Sequence, residues 1–138
     1  MGAANGAVQA VTIVAILAGT VVFSESSISY SGPGGAAVGP VQQHVFVSAN
    51  QGATWTNVAG NIRGVPAGSW VPHIEASKFE AGEAFVVFDN HRRSDWTPYV
   101  YRTTDYGRTW KSLATRDLRG YALSIVQDPV DPDLLFLG

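Results

Sequence analysis

Apolar residues recur along this chain in short runs, and the runs come in pairs. "AVTIVAILAGTVVF" (residues 10–23), "VPHIEASKFEAGEAFVVF" (71–88) and "ALSIVQDPVDPDLLFLG" (122–138) each hold two such runs around a turn rich in Gly, Pro or Asp. The first two pairs are each followed by a loop, a third run ("HVFVSAN", "PYVYRTTD"), a tight turn, and a fourth run led by Trp ("TWTNVAG", "TWKSLAT"). Val, Ile, Phe, Tyr and Thr bounded by Gly, Pro, Asn and Asp is a strand signal. Self-similarity at this period marks a repeat architecture. The pattern predicts an all-β chain built from a four-stranded antiparallel meander that occurs twice, about 8–60 and 69–116, with half of a third unit over about 121–138. "IEASKFEAGEAF" contains helix formers, but Gly82 interrupts it and its flanks alternate with period two. It is read as strands Val71–Ser77 and Ala84–Phe88 around a turn at Glu80–Glu83. The longest predicted loop is Ser26–Gln43, rich in Gly, Ser and Pro; a linker is the other reading of that stretch.

The third-to-fourth turn carries one motif twice. "TTDYGRTW" (Thr103–Trp110) and "SANQGATW" (Ser48–Trp55) share a hydroxyl residue, an Asp or Asn, a Gly, a Thr and a Trp at fixed spacing. Gly107 and Gly52 permit positive φ. Asp105 and Asn50 offer a side-chain oxygen to backbone N–H groups, which closes an Asx-type turn. Thr109 and Thr54 start the next strand. Trp110 and Trp55 are expected to fold over the corner, burying on the order of 200 Å2 each.

These two stretches resemble the Asp-box (BNR) repeat, Ser/Thr-x-Asp-x-Gly-x-Thr-Trp, with Asn50 replacing Asp in the first copy. Such boxes occur in sialidases, sortilin-like ectodomains, xyloglucanase-type glycoside hydrolases and a photosystem assembly factor. The stretch from Trp70 to Trp110 looks most like sortilin-like or BNR-repeat glycosyl hydrolase proteins. The resemblance implies a β-propeller, each meander being a blade. It implies a secreted, periplasmic or cell-surface scaffold that presents loops to a protein or glycan, or else a fragment of a propeller glycoside hydrolase. Ser48, Asn50, Gly52, Thr54, Trp55, Thr103, Asp105, Gly107, Thr109 and Trp110 are then structural, since boxes of this kind serve proteins of unrelated activity. Two and a half repeats fall short of the 4–8 blades of a closed propeller. Further blades or self-association are therefore expected to cover the open edges.

Composition narrows this reading. Only 14% of the 138 residues are charged, against 46% hydrophobic, where globular chains average about 25% charged. A net charge of −2 argues against a nucleic-acid partner, which needs a clustered Lys/Arg excess. There is no cysteine, so disulfides, zinc-thiolate sites and thiol catalysis are excluded. The apolar run Val8–Phe23 is shorter than the ~20 residues of a membrane span, contains Gln9 and Thr12, and is broken at Gly19–Thr20. No basic residue precedes it, so no signal peptide is evident. A pair of strands is expected there, a signal or anchor remnant being the alternative.

Candidate chemistry gathers in "DNHRRSDWTP". Asp89, His91, Arg92, Arg93, Asp95 and Trp96 lie within eight residues. Arg forks grip carboxylates or polar sugar groups, and Trp96 offers an apolar platform. The competing reading is a solvated loop with local ion pairs and Trp96 packed on its neighbour. Glycosidases need two carboxyl groups about 5 Å or about 6.5–9.5 Å apart; Asp89, Asp95 and Glu75 are the available acids, and no motif singles one out. A sialidase-like site also needs an arginine cluster and a Tyr nucleophile from several blades, so no catalytic residue is assigned. His44, His73 and His91 are scattered, and neither a metal nor a cofactor is expected.

Overall fold

A computed structural model of the chain describes residues 7–17, 20–29, 42–50 and 52–138. Ten strands follow in order: β1 (Ala7–Leu17), β2 (Thr20–Ser29), β3 (Gln42–Ser48), β4 (Thr56–Asn57), β5 (Trp70–Ala76), β6 (Ala84–Asp89), β7 (Tyr99–Thr103), β8 (Lys111–Ser112), β9 (Ile125–Gln127) and β10 (Leu135–Leu137). Among the described residues the regular structure is otherwise limited to two 3-10 turns, at Ala59–Asn61 and His91–Arg93. Every pairing is antiparallel and joins sequence neighbours, giving the sheets β1-β2-β3-β4, β5-β6-β7-β8 and β9-β10. The expectation of an all-β chain of meanders holds. Among the described residues no helix is long and apolar enough to cross a membrane.

Several boundaries differ from expectation, and β5 runs Trp70–Ala76 where Val71–Ser77 was expected. The glycine-rich stretch does not begin at Ser26, because β2 continues through Ser29, where Ser29 pairs with Ala7. Ser and Glu replace the apolar residues in this half of β2, so the hydrophobic pattern stops before the ladder does. The rest of that predicted loop, residues 30–41, lies outside the described residues. β6 extends one residue further than expected, to Asp89, which pairs with Trp70.

The sheet β5–β8 is covered on both faces, and its central strand shows why. All six residues of β6 are buried. Side chains alternate across a strand, so Ala84, Val86 and Phe88 enter one core while Phe85 and Val87 enter another. The first core joins Val45, Val47 and Val58 of the first unit to Val71, Ile74, Ala76 and Tyr101 of the second. The second core joins Phe85, Val87 and Val100 to Ala122 and Ile125. β5 packs on β1 and β2, and β9 packs on β5 and β6.

One irregularity repeats. The β5–β6 register jumps between the pairs Trp70–Asp89 and His73–Val87, leaving an extra residue on β5. That bulge puts Val71, Ile74 and Ala76 on the same face. It also accommodates Pro72, which has no N–H to give a ladder. β1 carries the same bulge between Ala10 and Ile13. In the third unit the amides of Leu123 and Ser124 both donate to the Gly138 carbonyl, at 2.6 and 2.9 Å.

A buried polar clamp joins the second and third sheets. Glu83 is 2% exposed. It accepts from Arg102 Nε at 2.5 Å and pairs with the same guanidinium through Nη2. Its second oxygen accepts from Gln127 Nε2 at 3.2 Å. Gln127, fully buried, also accepts from Ser77 Oγ at 2.9 Å and donates to the Pro132 carbonyl at 3.0 Å. A buried carboxylate is tolerated when its lone pairs are used in this way.

Phe85→Ala should cost about 3–5 kcal/mol, as aromatic truncations in cores do. Phe79→Ala, at a side chain 38% exposed, should stay within about 0.5 kcal/mol. Chemical denaturation of both variants checks the assignment; equal costs would contradict it.

Candidate functional site

Two regions sit at opposite ends of β7: the segment before Tyr99 and the box turn after Thr103. In the box, Thr103 Oγ1 donates to Asp105 Oδ1 at 2.9 Å and accepts from Gly107 N at 2.9 Å. Asp105 Oδ1 accepts from Thr109 N at 2.8 Å, and Oδ2 from Thr109 Oγ1 at 2.6 Å. Trp110 Nε1 donates to the Gly107 carbonyl at 3.0 Å. The first copy repeats the wiring: Gly52 N to Ser48 Oγ at 2.7 Å, Thr54 N to Asn50 Oδ1 at 2.9 Å. Its amide substitutes by reversing one bond, since Asn50 Nδ2 donates to Thr54 Oγ1 at 2.8 Å.

The second box is seated on the first unit. Gly107 takes φ +78°, and a Cβ there would stand 3.0 Å from both methyls of Val58. Asn61 Nδ2 donates to the Gly107 carbonyl at 2.9 Å. On the other side, Tyr106 N donates to the Gly82 carbonyl at 3.0 Å. A Cβ on Gly82 would meet the Thr104 carbonyl oxygen at 2.9 Å, so Gly82 makes room for the box as well as breaking a helix. The Trp rings bury less than expected. Trp110 is only partly buried against the first core. Trp55 is 39% exposed, its ring lying over Gly52. The ring covers its own turn, and the solvent side of that turn stays open.

Before β7, the six candidate residues take distinct places. Asp89 is buried; its Oδ1 accepts from His91 N at 3.0 Å and its Oδ2 lies 2.6 Å from His91 Nδ1. A carboxylate only accepts, so the proton on Nδ1 faces Asp89. Asp95 accepts from Thr97 N at 3.1 Å, Tyr99 OH at 2.8 Å and Asn90 Nδ2 at 3.2 Å. The Thr97 hydrogen bonds, with that from Tyr99, hold its carboxyl at about 2. Burial, with the bond to Asp95, raises the Tyr99 phenol. Arg93 donates to the Ala67 carbonyl at 2.8 Å, and both Arg92 and Arg93 lie over the Trp70 ring. Asn90 is buried, and its Oδ1 has no donor among the described residues.

Trp96 is 57% exposed. With His91 it meets Tyr121, which reasoning from the sequence did not select. The His91 and Tyr121 rings stack at 4.5 Å, and Trp96 lies 5.5 Å from Tyr121. An aromatic residue in the loop between units, "RDLRGYA", was the available signal. Asp89, Asp95, His91 and Trp96 therefore share one segment, while Arg92 and Arg93 turn toward Trp70. Glu75 and His73 sit on β5, 3.8 Å from each other, and His44 is on β3 opposite Glu25. Comparison with family models, with curated proteins and with solved structures gave no match.

Gly107→Ala and Gly120→Ala separate strain from crowding. Both positions have positive φ, but a Cβ on Gly120 meets nothing within 4 Å. Gly120→Ala should cost about 1 kcal/mol. Gly107→Ala should cost about 1–3 kcal/mol more from overpacking. Equal shifts in the denaturation midpoint would contradict the seating on Val58.

Asp105→Asn tests the wiring through pH. The hydrogen bonds from Thr109 lower the Asp105 carboxyl below 3.8. A group depressed by folding contributes stability that is complete above its unfolded pKa and is lost as pH falls through its folded one. Asp105→Asn should keep the turn, as Asn50 does, and flatten the loss of stability below about pH 4. Melting curves from pH 6 to pH 2 measure this; parallel acid limbs would contradict it.

Proposed function

We propose that this chain belongs to an Asp-box β-propeller scaffold, secreted or exposed at the cell surface, that presents its inter-strand loops to a protein or glycan ligand. Several features support the propeller reading: antiparallel meanders of neighbouring strands, cores on both faces of the middle sheet, and one bulge at equivalent places in three units. The observation that carries the functional half is the exposed terrace of Trp96 and Tyr121, backed by His91 on Asp89. Exposed aromatic rings of this kind are enriched where one surface grips another.

The box itself is spent on structure, since both Asp105 oxygens close its own turn. A hydrolase reading gains less support. Asp95 is held ionised by three donors, which suits neither a general acid nor a mobile base, and Asp89 is turned to His91.

The test is a glycan and protein array probed with the full chain. A ligand found there should bind Trp96→Ala and Tyr121→Ala at least ten-fold more weakly, with melting temperatures unchanged. Binding indifferent to both substitutions would overturn the loop assignment. Release of aryl aglycone by the parent chain, abolished in Asp89→Asn or Asp95→Asn, would favour the hydrolase.

A further inference from the structure

The box end of the second sheet carries cations that the fold does not use. An open cleft of about 320 Å3 is lined by Gly60, Asn61, Arg63, Arg108, Thr109 and Trp110. A second cleft of about 460 Å3 beside the first box shares Asn61 and Arg108 with it. A third, of about 180 Å3, shares Thr109 and Trp110 with it and is also lined by Lys111. Arg63, Arg108 and Lys111 are all exposed, and none forms an ion pair among the described residues. Other cations are occupied differently: Arg102 is paired with Glu83, and Arg93 is tied to the Ala67 carbonyl. Residues 1–62 contain no Lys or Arg at all, so Arg63 is the first Lys or Arg of the chain, and it lines this cleft together with Arg108.

Asp105, the acid within this turn, keeps its own charge but forms no ion pair with these cations among the described residues. Asp105 gives its oxygens to Thr103 and Thr109. We propose that the cleft between Arg63 and Arg108 is a binding site for the carboxylate or sulfate groups of an acidic glycan. Two guanidinium groups can each grip an oxyanion bidentately, which an ammonium cannot do. The glycan part of the assignment comes from the remaining wall. Trp110 has its indole N–H committed to Gly107, so what it offers the cleft is ring surface, and Thr109 and Asn61 add polar edges. A ring substituted with an anion uses all three. This site is at the other end of β7 from the Trp96 terrace and does not depend on it.

Isothermal titration of the full chain with a galacturonate hexamer and with a heparin-derived hexasaccharide tests the proposal and separates carboxylate from sulfate. At least one should bind, and a neutral cellohexaose should not. Arg63→Ala and Arg108→Ala should each weaken binding ten-fold or more, and Arg63→Lys should not restore it. Lys78→Ala and Arg116→Ala, at exposed cations outside the cleft, should leave it unchanged. Melting temperatures check that all variants remain folded. Absence of binding by either acid oligosaccharide, equal losses in the Lys78 and Arg116 variants, or tighter binding of poly-glutamate than of either sugar would each overturn it.

Discussion

The constraint on which this structure turns is that the central strand of its middle sheet, β6, has no solvent face. Burying both sides of β6 means that the sheet contributes half of two cores and completes neither. An antiparallel sheet with a single core reads as alternating apolar and polar residues, whereas one buried on both faces reads as a continuous apolar run. "AFVVFD" is such a run. The stability of each unit is therefore shared with the units before and after it, as in stacked repeat proteins.

Stacking brings turns into contact as well as faces, and the Thr103–Trp110 turn manages that contact. A hairpin corner has backbone N–H groups pointing inward, and buried donors without acceptors are costly. Thr103 and Asp105 supply acceptors from within the turn, and the corner presses against Val58 and Asn61. Glycine at position 107 follows from both demands, a left-handed φ and the absence of room for a Cβ. The bulge serves a related purpose: it turns Val71 to the same face as Ile74 and Ala76, and so widens the apolar stripe that meets the first unit.

Much of this was legible in the sequence, because the relevant signals are local. Strand pairs, the turn at Glu80–Glu83 and the hydrogen-bonding role of Asp105 follow from residue type and spacing. The bulges were not legible: an extra residue leaves the strand apolar and shifts only its phase. The end of β2 was misread because its last residues, such as Ser26, Ser27 and Ser29, form a ladder without an apolar pattern. At the candidate site, the cluster Asp89–Trp96 was visible as a concentration of charge. Its division was not, since Arg92 and Arg93 turn to Trp70 while Trp96 meets Tyr121, a residue 25 positions later. Contacts across units depend on tertiary packing, which no local pattern records.

The central claim is that consecutive units hold each other through the seat of the second box on the first unit. A double-mutant cycle on Val58→Ala and Gly107→Ala tests it most directly. Removing the Val58 methyls opens the space that a Cβ at position 107 needs. The account predicts that Gly107→Ala costs less in the Val58→Ala background than in the parent, with a coupling on the order of 1 kcal/mol, within the range found for residues in contact. Additive costs, agreeing within about 0.3–0.5 kcal/mol, would mean that the two residues do not touch in solution, and would contradict the seating of one unit on the next.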